Sequence, residues 1–394
     1  MAMWRKELWR WTALVFFLLI ARHVPDIIES VYSRGLYRIV RTIDLFFLRW
    51  IPFSVGDLLY LLFPVWLVRR AISIKHLAGR RATLLYLSGW ARRIILWFYV
   101  LWGLNYFRQP LAHQWHWTIR PPDREALLRL TAREIDSVNY WHRQINGNAT
   151  KSAVIIPYSF ERMSRTAANI YRQNASLHPE LDQRYYVLKP SLWGQIVSYM
   201  GVSGYINPYT HESQVNTRYP QVFRPHIMLH ELAHQIGYAY EDEAEFIAFW
   251  EAMHGEDPFF RYSAHLSVVP YLLSYWKQTD STQYQAFRDS LLPGVRQAYK
   301  QAAAFVRRYR APVDLSVVYD RFLRVNQQGR GLESYGRMIL YLHTWYRQQD
   351  QASRTAVKHI KDRQEDKQKH RLNEETAHVE QKSISARMIK PDGQ

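Results

Sequence analysis

The chain has 394 residues, a formal net charge of +18, 48% hydrophobic and 15% aromatic residues, and no cysteine. This composition excludes a disordered or fibrous chain and leaves ample apolar material for a packed core. Without cysteine the chain has no disulfides, thiolate catalysis, iron–sulfur clusters or Cys-type zinc sites, so any metal must be held by histidine and carboxylate side chains.

Basic residues concentrate in the first quarter of the chain. Residues 1–110 carry 16 Lys and Arg against 5 Asp and Glu. Three apolar stretches, at about 8–24, 50–68 and 93–110, have basic flanks that are typical of membrane spans. The sequence therefore predicts a membrane anchor over residues 1–109 with three transmembrane helices and a lipid bilayer as partner. Basic residues beside apolar stretches also argue against a nucleic-acid partner.

The loops between these stretches predict an orientation. The N-terminus and the second link carry ten Lys and Arg, and the first link carries five. The more basic side faces the cytoplasm, so the chain after the third stretch is expected to be extracytoplasmic. In the first link, Arg34, Arg38 and Arg41 recur at helical spacing, which predicts an amphipathic helix in the interface. Asp57 in the second stretch is either a functional residue or a helix cap behind Pro52 and Ser54.

Residues 110–349 have the pattern of a globular domain. Asp123 can cap a helix that ends at Gly147, and residues 152–157 have the composition of a strand. Further helices are predicted over 160–174, 242–254, 283–309, 314–326 and 333–349. Residues 202–216 contain Gly and Pro and suit an extended hairpin. The charged segment 350–394 is predicted to be a disordered or loosely helical tail.

Residues 230–234 read HELAH, and this HExxH motif carries the chemistry. His230 and His234 lie four positions apart on one helix face, so both imidazoles can bind one zinc ion. Glu231 projects beside them, where it can act as general base on a water molecule. Pro225 suits the first turn of such a helix, and Gly237 suits its end.

A catalytic zinc needs a third protein ligand and an open fourth position. Gly237 allows the chain to reverse, so Glu241, seven residues after His234, can return to the metal. The run 241–245 also resembles the ExxA(D/N) helix signature of gluzincin-type peptidases. On that match Glu241 is the ligand and Glu245 contacts a zinc-binding histidine. Glu243 is the alternative ligand.

Two other histidines are weaker candidates for the metal. His226 lies one turn before His230, but the helix face drifts by about 80° over eight residues, so three positions on one helix surround an ion poorly. We therefore do not expect His226 to be a ligand. His211 is a more distant alternative.

Substrate contacts are expected upstream of the motif and just after it. Zincins place the edge strand that binds a peptide by strand addition directly before the active helix, where residues 202–216 lie. One nearby phenol can stabilise an oxyanion. The candidates are Tyr205, Tyr209, Tyr238 and Tyr240.

Several sequence blocks resemble one known family. They are PFSVGDLLY, WGLNYFRQPL, SGYINPYTHESQVN, HELAHQIGYAYEDEAEF, FFRYSAHL and GLESYG. The chain resembles, over about residues 24–345, an uncharacterised bacterial membrane-anchored family of unknown function with an HExxH centre. The resemblance implies a zinc-metallopeptidase-like domain behind N-terminal spans in the inner (cytoplasmic) membrane, without an established substrate. The chain departs from that family's pattern at His211, His226 and Glu245.

Taken together, these patterns predict a mainly α membrane protein with three N-terminal transmembrane helices. Its helix-rich zincin-like α+β domain, with a small sheet, spans residues 110–349. The predicted function is a zinc-dependent metallopeptidase that hydrolyses peptide bonds of a peptide or protein substrate. The alternative is a non-catalytic zinc-containing, membrane-tethered binding or assembly protein of the cell envelope. Glu231 separates the two hypotheses, since a structural zinc site has no need of that carboxylate.

Overall fold

The computed structural model describes the backbone of residues 2–147, 150–310 and 337–388, and the side chains of these residues except 2, 356–360 and 370–388. The chain forms two compact units, residues 1–341 and 342–394. Residues 1–109 therefore belong to the same unit as the HExxH motif. The charged segment that begins at residue 350 continues helix α14, Met338–Met388, as far as the structure describes it.

The N-terminal part of the first unit is helical. Its elements are α1 (Ala2–Arg22), α2 (Pro25–Ile27), a π-helix (Ile28–Leu36), α3 (Tyr37–Leu48), α4 (Val55–Leu101) and a 3₁₀ helix (Gly103–Phe107). Helix α4 is a hairpin, because Gly79 has φ 79° and ψ 176° and breaks it into two arms. The Trp66 and Trp90 rings, 5.2 Å apart, show that the arms run side by side.

The prediction of three transmembrane helices is wrong. Among the described helices no single one is long and apolar enough to cross a membrane, and only the pair Met3–Arg22 and Pro25–Leu48, bent by 89°, meets these criteria together. The stretch 50–68 falls short because α4 begins only at Val55 and carries Asp57, Arg69 and Arg70. The stretch 93–110 leaves the α-helix at Leu101 and enters the 3₁₀ helix. The stretch 8–24 shares α1 with several charged residues, namely Arg5, Lys6, Glu7, Arg10 and Arg22.

The structure also assigns structural roles to two charged residues of this region. Asp57 is fully buried but does not cap α4, because the cap is Ser54, whose hydroxyl accepts from the Asp57 backbone N–H at 3.0 Å. The Asp57 carboxylate instead accepts from Leu192 N at 2.8 Å and from Tyr205 OH at 2.7 Å. Arg41 is buried rather than interfacial. Its Nη1 donates to the carbonyl oxygens of Gln235 at 3.2 Å and Ile236 at 2.8 Å. Side chains of the N-terminal helices therefore fix the end of the HExxH helix.

The rest of the first unit is built mainly from helices. They are α5 (Leu111–Gln114), α6 (Arg124–Asn146), α7 (Phe160–Asn174), α8 (Gly194–Tyr199), α9 (Arg224–Ile236), α10 (Glu241–His254), α11 (Pro258–Thr279), α12 (Ser281–Ser290) and α13 (Pro293–Arg308), with short 3₁₀ helices at Pro179–Leu181 and Gln221–Phe223.

Capping residues set the ends of several of these helices. The Asp123 carboxylate accepts from Ala126 N at 2.7 Å and begins α6, and Gly147 with φ 55° ends it, as predicted. The predicted helices over 160–174 and 242–254 are also confirmed. The predicted helix 283–309 is broken before Pro293, because proline cannot continue a helix, and residues 152–157 form no strand. The helix predicted over 314–326 lies outside the described residues.

A small sheet lies beside the HExxH helix. Its strands are β1 (Leu188–Pro190), β2 (Gly204–Ile206) and β3 (Ser213–Val215), in the order β1-β3-β2. Strands β2 and β3 form the predicted antiparallel hairpin, and β1 pairs parallel to β3. Both β3 and β2 contact α9. Strand β2 is therefore an edge strand at the HExxH helix.

Candidate metal centre

The HExxH motif lies on α9, in the middle of the core. Every residue from Pro225 to Ile236 is buried, and α7, α10, α11 and the sheet pack around the helix. Gly237 ends it with φ 108°, a conformation that only glycine adopts readily. A Cβ at this position would also lie 2.9 Å from the Tyr37 ring. The reversal at Gly237 brings the start of α10 back to the face that carries the two histidines.

Three side chains converge on one point there. His230 Nε2 lies 3.2 Å from Glu241 Oε2, and His234 Nε2 lies 3.5 Å from the same oxygen. In a tetrahedral zinc site with bonds near 2.0–2.1 Å, neighbouring donor atoms are about 3.3 Å apart. All three donor atoms lie within 4.8 Å of one another. The spacing and the chemistry of these donors therefore fit a zinc ion.

Contacts at Nδ1 orient both imidazoles toward that point. The Nδ1 atom of His234 lies 2.7 Å from the carbonyl oxygen of Tyr238, and Nδ1 of His230 lies 3.1 Å from Glu245 Oε2. When each Nδ1 carries the proton, each Nε2 presents a lone pair to a metal. The contact of Glu245 with His230 is the one that the gluzincin signature implies for a candidate ligand histidine.

His226 and Glu243 point elsewhere. His226 Nε2 lies 2.9 Å from Glu245 Oε1, so His226 contacts the carboxylate that supports His230 and does not join the cluster. Glu243 Oε1 accepts from Leu111 N at 2.8 Å and from Tyr341 OH at 3.3 Å. Residues 241 and 245 share one face of α10, and residue 243 lies on another. Of the two alternative third ligands, Glu241 is therefore the one in the cluster.

Burial and neighbouring charges shift the pKa values of two carboxylates at the cluster. Burial raises the pKa of Glu241, but the charge of His234 and hydrogen bonds from both histidines hold that pKa well below its ordinary value. Burial raises the pKa of Glu231 to about 7, and the nearby histidines counteract only part of the shift. Glu231 Oε2 has no hydrogen-bond partner within the described structure. A buried carboxylate oxygen without a partner is costly, so Glu231 beside the cluster is a candidate functional residue.

The tyrosine candidates separate into two groups. Tyr205 and Tyr209 line the cavity at the cluster. Tyr205 OH donates to Asp57 Oδ1 at 2.7 Å, and Tyr209 OH donates to Ile94 O at 3.3 Å. Tyr238 and Tyr240 are not among its lining residues. Tyr238 OH donates to Gln114 Oε1, and Tyr240 OH donates to the carbonyl oxygen of Tyr106.

His211 is not part of the cluster. Its Nδ1 lies 2.8 Å from Asp44 Oδ2 and its Nε2 lies 3.0 Å from Leu101 O, so both ring nitrogens are engaged between α3 and the end of α4. Its φ of 57° is rare for a residue other than glycine. The contacts on both ring nitrogens explain why a histidine stands here, and they exclude it as a ligand in this arrangement.

Sequence patterns missed Tyr271, which lies on α11. Its hydroxyl hydrogen-bonds Glu245, its side chain lines the cavity, and burial raises its pKa well above the ordinary value. No local motif surrounds Tyr271, which is one of 27 tyrosines, so only the packing of α11 against α9 and α10 identifies it.

A cavity of about 1290 Å³ opens from the cluster. One side is formed by α9, α10 and α11, and another by β2 and α8. The two arms of the α4 hairpin complete the wall, and they contribute Leu61, Val65 and Phe98. This volume is large enough for several residues of a peptide, and the candidate ligands are among its lining residues.

The chain belongs to the family described as Protein of unknown function (DUF3810), whose model matches residues 32–343. No curated protein and no solved structure is significantly similar to the chain. The match confirms the resemblance to an uncharacterised family that the sequence blocks indicated. It assigns no activity, so the chemistry has to be argued from the site.

Proposed function

We propose that this member of a family of unknown function is a zinc-dependent hydrolase of peptide bonds. The observation that carries the proposal is the unpartnered, buried carboxylate of Glu231 beside the converging donor atoms of His230, His234 and Glu241. A structural zinc site is complete with its ligands and needs no such group. A hydrolase needs a base at this place.

Each residue of the cluster has a part in the proposed reaction. His230, His234 and Glu241 would hold the zinc, and Glu245 orients His230. When bound, zinc acts as a Lewis acid toward water and the scissile carbonyl. Glu231 takes the proton of the attacking water and passes it to the amine that leaves. Its raised pKa, near 7, suits a group that both accepts and releases a proton at neutral pH.

Strand β2 supports a peptide as the substrate. Its pairing with β3 joins Gly204 to Val215 and Ile206 to Ser213 as partners. The bonds Asn207 N to Glu212 O and Asn216 N to Ser203 O show that the odd-numbered residues 203, 205 and 207 face β3. The backbone groups of Gly204 and Ile206 therefore point to the open edge. An extended peptide can pair with this edge and pass its backbone beside Glu231.

The test compares Glu231→Gln with the parent protein, purified at full length. Metal analysis should find about one zinc per chain in both, and cleavage of a blocked peptide library should fall about 10²–10⁴-fold in the variant, the usual contribution of a general base. Glu251→Gln removes another buried carboxylate, outside the cavity, and should keep both properties. If Glu231→Gln cleaves as well as the parent, the hydrolase proposal fails. Stoichiometric zinc without cleavage of any peptide favours the non-catalytic binding protein.

We also propose a lipid bilayer as the partner of the apolar surface of the N-terminal helices. Large apolar side chains of α1 and α3 are exposed. They include Met3, Leu8, Trp9, Val15, Phe16, Leu19, Ile39, Ile43 and Phe47. Basic residues of the first hundred positions complement anionic headgroups. The protein should co-sediment with anionic vesicles and much less with neutral ones, and equal recovery without vesicles would contradict the proposal.

A further inference from the structure

The cavity beside the metal cluster has an unusual distribution of charge. Its lining residues with acidic or imidazole side chains are the three of the cluster, the neighbouring Glu231, and the pair Glu245 and His226 that contact each other. Elsewhere the described lining residues are neutral, and no Lys or Arg is among them. Apart from these residues, the cavity lining therefore offers a ligand no charged partner.

One part of the cavity lining is apolar and accessible, and it is called the apolar wall. It consists of Leu61 and Val65 on α4, Ile196 on α8 and Met200 at the C-terminal cap of α8. These four side chains keep about half of their surface exposed, with 44%, 51%, 54% and 47% respectively. Exposed apolar side chains in a concave surface are typical of a binding site for apolar groups.

The lining also bears on which part of a peptide fits. A free C-terminal carboxylate would need a cationic partner, but the described lining contains no Lys or Arg, and its His226 already contacts Glu245. A free N-terminal ammonium would need a spare carboxylate. Glu241 and Glu245 contact the histidines, and Glu231 is the base of the proposed reaction. A peptide terminus would therefore lose its hydration in this cavity without an ion pair to replace it.

We infer that the site takes the interior of an extended peptide whose residues next to the scissile bond carry bulky apolar side chains. The backbone would pair with the open edge of β2 at Gly204 and Ile206, and the apolar side chains would rest on Leu61, Val65, Ile196 and Met200. This inference rests on the proposed function for the cleavage itself, but the binding preference can be measured separately.

The binding test uses Glu231→Gln, so that no turnover intervenes. Two peptides with acetyl and amide ends are titrated by calorimetry into the zinc-loaded protein: one with central Phe-Leu-Phe, the other with central Ser-Asn-Ser. We expect the apolar peptide to bind at least tenfold more tightly. The same apolar peptide without its acetyl and amide groups has charged termini, and it should bind more weakly than the blocked form. Equal affinities of the two blocked peptides, or tighter binding of the unblocked one, would overturn the inference.

A negative charge on the apolar wall should weaken the binding of the apolar peptide. Leu61→Glu is expected to weaken the apolar peptide at least tenfold without changing the zinc content. Leu62→Glu is the matched control, since Leu62 is exposed on the same helix but does not line the cavity. Val65→Glu, one turn further along, repeats the test if Leu61→Glu does not fold. Equal losses in the Leu61 and Leu62 variants would contradict the assignment of this wall.

The outcomes separate the inference from the proposed function. Apolar selectivity in binding without cleavage by the parent protein would support this inference and refute the hydrolase proposal. Cleavage of many blocked peptides without apolar preference would support the hydrolase proposal and contradict this inference. Phospholipid vesicles that displace the apolar peptide from the parent and from Leu62→Glu alike would identify the cavity as a lipid site and overturn the inference.

Discussion

Gly204 on the edge strand and Glu231 on the HExxH helix are in such close contact that no side chain fits between them. A Cβ at position 204 would lie 2.4 Å from Oε1 of Glu231 and 2.7 Å from its Cγ. Real Cβ atoms do not approach other heavy atoms this closely, so alanine at this position would displace the carboxylate. The strand that would bind the peptide backbone therefore lies directly against the proposed base.

The first prediction concerns this contact. Gly204→Ala should lower kcat/KM for peptide cleavage about 10²-fold, because a displacement of about 1 Å at a reacting group has an effect of this size. Zinc content should stay at one per chain, since the three atoms nearest a Cβ at position 204 all belong to Glu231 and none to a proposed ligand. Gly35→Ala is the control, because its Cβ would meet only Ser30 O, at an ordinary 3.5 Å. Unchanged cleavage by Gly204→Ala would show that the Glu231 carboxylate does not have to stay where it lies.

The second prediction concerns the third metal ligand. Glu241→Ala should release zinc at concentrations of chelator that the parent protein withstands, because one of three protein ligands is lost. Glu243→Ala should keep its zinc, since the Glu243 carboxylate contacts Leu111 N and Tyr341 OH instead. Competition with a fluorescent zinc chelator measures both. Zinc loss in Glu243→Ala with retention in Glu241→Ala would move the ligand by two residues.

Local spacing accounts for what could be predicted of this site. The i, i+4 relation of His230 and His234 and the reversal at Gly237 are local in sequence, so the helix, its end and the approach of Glu241 follow from them. The caps of α6 at Asp123 and Gly147 are local signals of the same kind. The positions of the apolar stretches in the fold do not follow from such local signals. Residues 50–68 lead into the first arm of the α4 hairpin, and residues 93–110 run from its second arm through the buried 3₁₀ helix. Only packing between residues far apart in the sequence determines these positions.

Other parts of the site depend on contacts between distant residues. Arg41 has the spacing of an exposed arginine in an amphipathic helix, yet it is buried against the carbonyl oxygens of α9. Tyr271 reaches Glu245 only because α11 packs against α9 and α10. No periodicity in the sequence encodes either pairing. The signature of the metal ligands is thus readable from the chain, whereas the residues that surround and orient them are not.

The third prediction concerns the buried acid Glu251. Burial raises the pKa of Glu251 well above the ordinary value, although a hydrogen bond from Asn174 at 2.7 Å lowers it in part. The folded state therefore binds a proton that the unfolded chain has released, and stability falls as pH rises above the ordinary glutamate pKa. The slope is at most about 1.4 kcal/mol per pH unit.

Glu251→Gln should remove this dependence, because glutamine keeps an oxygen for Asn174 and carries no charge. Its advantage in Tm over the parent should be small at pH 5 and grow toward pH 8. Glu256→Gln makes the same charge change at an exposed position nearby and should show no such trend. A constant Tm difference between Glu251→Gln and the parent across this range would contradict a protonated Glu251.

The fourth prediction concerns Arg41. Arg41→Met keeps most of the apolar stem but leaves the carbonyl oxygen of Ile236 without its donor and that of Gln235 with Tyr37 OH alone. The free energy of unfolding should fall by about 1–3 kcal/mol, the usual cost of unsatisfied buried polar groups. Arg38→Met on the same helix is the control, because that side chain is exposed. Urea titration measures both variants, and equal midpoints would show that the buried guanidinium contributes nothing net.

The hydrogen bonds from α3 to the end of α9 should also couple the N-terminal helices thermodynamically to the proposed zinc. Tyr37 OH donates to Gln235 O at 2.8 Å, next to the two bonds from Arg41, so α3 and the ligand helix share one interface. A ligand that binds only the folded state stabilises every segment that unfolds together with its site. Zinc should therefore slow amide hydrogen exchange in α3, although no residue of α3 is among the proposed ligands. A fragment that begins at residue 110 lacks this interface, and its metal affinity would carry the added cost of an unsupported ligand helix.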